Sequence, residues 1–155
     1  VSPDMIHKAL NKNLDELLNP PIKNLSISGI DKFAKAILTW NNFGDAKLRG
    51  SAINSFFMID ERGGTGGAAF RCMYADFLHE ASPICDSYVL EQLGLEYQAI
   101  TKHWNQLSNG LWQLYETGDR ALLRQLSDKL KEIAAGEYDV LQKMKRFVYG
   151  LLITV

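Results

Sequence analysis

The reading of the fold turns on Gly63-Gly64-Thr65-Gly66-Gly67-Ala68-Ala69-Phe70-Arg71-Cys72-Met73-Tyr74-Ala75-Asp76-Phe77-Leu78-His79-Glu80-Ala81. Four of the chain's 12 glycines fall in its first five positions. A helical pattern follows at once: Phe70, Met73, Tyr74, Phe77, Leu78 and Ala81 recur at the spacing of one apolar helix face. Thr65 suits an N-cap, and Pro83 is expected to stop the helix. The stretch therefore reads as a glycine loop launching a buried helix around which the other helices pack. A helix start rich in glycine can bind an anion through its backbone N–H groups. The residues of such a site would be Arg62, Gly64, Thr65, Gly66, Gly67 and Arg71, and an acidic or phosphate group would suit it. The favoured reading is plainer: glycine lets the helix start approach a neighbour closely. Neither G-x-G-x-x-G nor the lysine-bearing phosphate loop is matched.

Outward from this stretch the chain reads as helices throughout. Ser2-Pro3-Asp4 supplies an N-cap, an N1 proline and a first-turn acid. Ile6, Leu10, Leu14, Leu17 and Leu18 then form a stripe that Pro20-Pro21 ends. Ser28 is the expected cap of a second helix, whose buried face holds Ile30, Phe33, Ala34, Ile37 and Leu38. Residues 45–60 suit a helix, although Ile53 to Ile59 is β-branched and aromatic enough for a strand. A long helix follows Asp86-Ser87, with a seam through Leu93, Tyr97, Ile100, Trp104, Leu107, Leu111 and Leu114. Gly94 and Gly110 interrupt it and require packing in compensation. Thr117-Gly118-Asp119 is a tight joint that turns the last helix back antiparallel. The expected fold is all-α: about six helices in an irregular bundle that ends in a long antiparallel helical hairpin.

The last helix carries Leu122, Leu123, Leu126, Leu130, Ile133, Glu137, Leu141 and Met144 on one face. A carboxylate on an apolar seam is costly unless paired. Glu137 is therefore assigned to a buried polar network with Arg71 as first partner and Tyr97, Trp104 and His103 as others. A titrating group in a pocket is the functional alternative.

Composition narrows the function classes. With 155 residues, 46% hydrophobic content and a net charge of −1, the chain is a single helical domain, residues 1–155, with no excess of basic charge for nucleic acid. No apolar run is long enough to cross a membrane and no secretory leader is visible, so a cytoplasmic location is expected. Cys72 and Cys85 have neither metal nor disulfide spacing, and the three histidines are dispersed. No metal, cofactor or catalytic residue is assigned. The absence of an initiator methionine and the apolar last residues lead to the expectation of a C-terminal fragment.

Ile59-Asp60-Glu61-Arg62-Gly63-Gly64-Thr65-Gly66-Gly67, with Phe70-Arg71, Tyr74, Phe77-Leu78 and Glu80-Ala81, resembles the C-terminal helical domain of proteins related to butirosin biosynthesis protein H. Gly29-Ile30, Phe33-Ala34, Trp40, Tyr97, Trp104 and Leu107 also suit that domain. One departure is visible: two glycines precede Thr65 where the family is expected to have one. The resemblance implies a two-domain parent whose N-terminal, cysteine-peptidase-like domain carries the Cys and His of an acyltransferase. It implies partners too: that N-terminal domain and an acyl carrier protein. The chain itself would be an accessory, non-catalytic domain that completes a substrate or carrier-protein surface. The alternative from another class is an oligomerisation or protein-interaction module, a homodimer, resting on the seam of the long helix and the apolar tail.

Overall fold

A computed structural model describes residues 1–150 apart from Lys23, Gly64 and Thr65. Among the described residues there are six α-helices and no strand. They are α1 (Pro3–Leu18), α2 (Ile27–Thr39), α3 (Asp45–Ile59), α4 (Ala68–Ile84), α5 (Tyr88–Thr117) and α6 (Leu122–Gly150). Short 3-10 turns follow α2 at Trp40–Asn42 and α3 at Glu61–Gly63. None of the helices is long and apolar enough to cross a membrane.

The 30-residue α5 and the 29-residue α6 form the axis of the bundle. Lys143 of α6 bonds Glu96 of α5, Trp104 bonds Glu137, and Lys129 bonds Gln106. Positions rise along one helix as they fall along the other, so the pair is antiparallel. The α6 seam is buried along its whole length, from Leu122 to Met144, Glu137 included. Helices α3 and α4 pack on α5, while α2 and α1 pack on α6. The α5 seam from Leu93 to Leu114 is thus consumed inside the chain, which removes it as an oligomerisation face.

The centre of the fold differs from the sequence expectation. α4 is a flanking helix on α5, not a rod clasped from all sides. Its buried residues are Ala68, Ala75, Leu78 and Ala81, whereas Phe70 and Met73 are 56% and 64% exposed. The small alanines let α4 lie close to α5, and that rotation turns the larger side chains outward. At Gly94 of α5 an added Cβ would lie 2.8 Å from the His79 ring of α4, and at Gly110 one would lie 2.7 Å from Leu126 of α6. Both glycines thus mark close helix contacts. The helix ends also shift. Gly67 stands at the N-cap of α4, the expected cap Thr65 lies outside the described residues, and Pro83 sits within the helix's last turn. Ser26, not Ser28, caps α2. Residues 45–59 are helical: Leu48, Ala52, Phe56 and Ile59 are buried, and Phe56 meets the Trp112 ring of α5 at 5.1 Å.

Two arginines fasten the hairpin's tip to the rest. Gly118 adopts the left-handed conformation (φ 67°) that ends α5. Arg49 of α3 donates to the carbonyls of Tyr115, Glu116 and Thr117 at 2.7, 2.6 and 3.2 Å, while its Nε bonds Asp45. Arg120 reaches the other way, to the carbonyls of Trp40, Asn41 and Phe43 at 3.1, 2.8 and 2.7 Å. Arg49 satisfies carbonyls of the last turn of α5, and Arg120 binds three carbonyls of the corner after α2, of which Trp40 also accepts from the Phe43 N–H.

Candidate functional site

Glu137 lies where α6 faces both α4 and α5, and only 5% of it is exposed. Arg71, one turn into α4, meets it with both prongs of its guanidinium: Nε donates to Oε1 at 2.7 Å and Nη2 to Oε2 at 2.9 Å. The Trp104 indole Nε1–H of α5 donates to the same Oε1 at 2.8 Å. The guanidinium also lies 4.9 Å from the Trp104 ring centre, a cation–π contact. Three helices are thus joined at one carboxylate. This bidentate geometry, with an added N–H, is what a buried carboxylate needs to offset its lost hydration.

Tyr97 stands next to this network but does not bond Glu137; its ring meets Tyr74 edge-on at 4.9 Å. Burial raises the Tyr74 hydroxyl to about 12, against a smaller opposing pull from Asn13. It raises Tyr97 further still, helped by the neighbouring Tyr74 and Glu137. Both phenols therefore stay protonated at neutral pH. His103 faces Glu132 at 3.5 Å instead of Glu137.

The network forms the floor of a groove of about 710 Å³. Arg71, Glu137, Tyr74 and Tyr97 are polar groups in its lining. Its walls are mostly apolar: Phe70 and Met73 from α4, Leu17 from α1, and Pro20, Pro21 and Leu25 from the connector after it, with Asn13 and Glu16 of α1 also lining it. Its size and its apolar walls around a few polar groups are those of a small-molecule site. No local pattern announces the α1 wall, because Pro20-Pro21 reads as a helix stop. The one local hint is that the connector carries Ile22 and Leu25, both well exposed.

The loop residues fall differently. Arg62 turns back to Asp60, donating from Nε at 2.8 Å and from Nη2 at 3.1 Å. With Arg71 on Glu137, both guanidiniums flanking the loop are already matched by carboxylates. Gly66 and Gly67 lie at the start of α4, while Gly64 and Thr65 lie outside the described residues. Gly67 has φ 50°, and a Cβ there would sit 2.6 Å from the Ile59 carbonyl oxygen. The glycine permits a close crossing of α4's start over α3's end. Asp60 stands in the sequence only as part of the family-like stretch, with no role of its own. It is buried and held also by Ser108 Oγ at 3.0 Å, and the Arg62 hydrogen bond, foremost, keeps its carboxyl below the usual carboxylate range.

Neither cysteine has the environment of a nucleophile. Burial, then the charges of Glu61 and Asp76, pushes the Cys72 thiol up, and burial alone raises Cys85. His79 Nδ1 lies 3.1 Å from Glu91, directed toward α5.

Residues 1–144 match the family described as a domain of unknown function, DUF4872. The chain belongs to that family. Searches of the curated proteins and of the solved structures returned no match.

Proposed function

We propose that this chain is an accessory helical domain of a butirosin biosynthesis protein H-like acyltransferase, and that its groove completes the substrate or carrier-protein surface while the chemistry is done elsewhere. The observation that supports this reading most is the groove itself. It has apolar walls and a rigid, charge-neutral floor. A surface of this kind binds and orients. The two thiols of the chain, both raised, are poorly suited to attack.

The test uses the full reading frame, with aminoacyl transfer from a carrier-protein thioester to an amine as readout. Met73→Glu places a carboxylate on the apolar wall at an exposed position, so folding is preserved. The expected result is a KM for one of the two substrates raised by about tenfold with kcat little changed. An unchanged kcat/KM for both substrates would remove the groove from the reaction.

A further inference from the structure

We infer that the groove over Arg71 takes a neutral small molecule bearing an acyl or amide carbonyl on an apolar body; this deepens, and rests on, the reading of the groove as a ligand surface. The uncommitted groups of the floor are N–H donors on Arg71 and the Tyr97 hydroxyl, which can donate as well as accept. Tyr97 is only 4% exposed, and its hydroxyl has no hydrogen-bond partner among the described residues. That hydroxyl is not sealed off, since the one buried side-chain polar atom left without a partner there is His79 Nε2. The space that Tyr97 borders is the groove. Its proton is therefore offered to whatever lies there.

Arg71 offers more of the same. A guanidinium has five N–H donors. Nε and Nη2 each commit one to Glu137, and Nη1 makes only a long bond of 3.4 Å to the Gly67 carbonyl. Donors remain on both terminal nitrogens of a side chain that is 24% exposed at the groove.

Charge decides the rest. Glu137 already cancels Arg71, and Glu16 is the other charged residue of the lining, so an anion gains no net attraction. A cation gains little at the floor, where the Arg71 guanidinium is already bound across both Glu137 oxygens, and Glu16 is exposed to water and lies 3.9 Å from Lys12. A neutral carbonyl oxygen accepts from Tyr97 and Arg71 together. The apolar remainder then runs along Phe70, Met73, Leu17 and Leu25. Tyr97 sets the specificity, because an unmet donor in this pocket penalises any ligand lacking an acceptor.

The experiment is a 15N–1H NMR titration of the chain with three probes that share one phenyl ring: N-acetylphenethylamine, phenethylammonium and 3-phenylpropionate. The amide probe is expected to give saturable shifts at the Trp104 indole N–H and at the backbone amides of Phe70 to Tyr74. It should bind at least about fivefold more tightly than either charged probe, and Tyr97→Phe should weaken it by about fivefold with the spectrum still dispersed. Tighter binding of a charged probe, or equal affinity in Tyr97→Phe, would overturn the ligand class and leave the groove as a binding surface. No saturable shift from any of the three would overturn the ligand class and the groove's role together.

Discussion

Consider Arg71→Met and Glu137→Leu, made singly and together. Glu137→Leu strands the Trp104 indole N–H in a residue only 6% exposed, a loss of roughly 1–3 kcal/mol. Arg71 also loses its partner, but its side chain is 24% exposed and turns partly to water. The single variant should therefore lose about 2–4 kcal/mol. Arg71→Met is worse, because it leaves the Glu137 carboxylate, 6% exposed, with one N–H; about 3–5 kcal/mol is expected. The double variant leaves only the indole N–H unmet, so it should lose about 1–3 kcal/mol and be more stable than Arg71→Met alone. The coupling between the two sites then exceeds about 2 kcal/mol. Urea denaturation followed by far-UV circular dichroism measures all four proteins without relying on the altered tryptophan. In thermal melts each kcal/mol corresponds to about 2–4 °C for a domain of this size. Losses that add to within about 0.5 kcal/mol, or a double variant no more stable than Arg71→Met, would refute the account of Glu137.

Two further outcomes are expected. The Asp60 carboxyl has a lower pKa folded than unfolded, so the stability it contributes is present above its unfolded value, near about 4, and is lost as pH falls through the folded value. The urea midpoint of Asp60→Asn should accordingly lie below wild type at neutral pH and converge with it below about pH 4; a gap that stays constant across this range contradicts the assignment. Gly67→Ala combines a positive φ of 50° with a Cβ 2.6 Å from the Ile59 carbonyl oxygen. It should lose about 2 kcal/mol or more in a calorimetric melt, and a loss below about 0.5 kcal/mol would deny the close crossing of α3 and α4.

The all-helical class and the hairpin could be read because the α6 periodicity is nearly unbroken and the Thr117-Gly118-Asp119 joint is short. Glu137 stood out for the same reason: one carboxylate on a clean apolar stripe is a strong local signal. The α4 face is legible in part: Leu78 and Ala81 are buried, and Tyr74 and Phe77 pack against the core. Phe70 and Met73 are exposed instead, a miss that arises because periodicity weights large side chains, whereas Ala68 and Ala75 share the buried contact. Alanine buries little area but permits close approach, a property visible only once Gly94 and α5 are in place. The groove was half legible. Arg71, Tyr97, Trp104 and Glu137 were named together, but Leu17, Pro20 and Leu25 reach them through tertiary folding, which no local pattern encodes. Asp60 was hidden because its partner Ser108 lies 48 residues away on another helix.

The bend between the two longest helices has a consequence beyond geometry. Exposed tips of helical hairpins are ordinarily where a chain accepts spliced-in residues or a protease cut at little cost. Here Arg49 of α3 grips three main-chain oxygens at the end of α5, and Arg120, just past the bend, grips three more in the corner between α2 and α3. An insertion there would loosen the corner between α2 and α3 as well as the tip, so first third and last third of the molecule stand or fall as one.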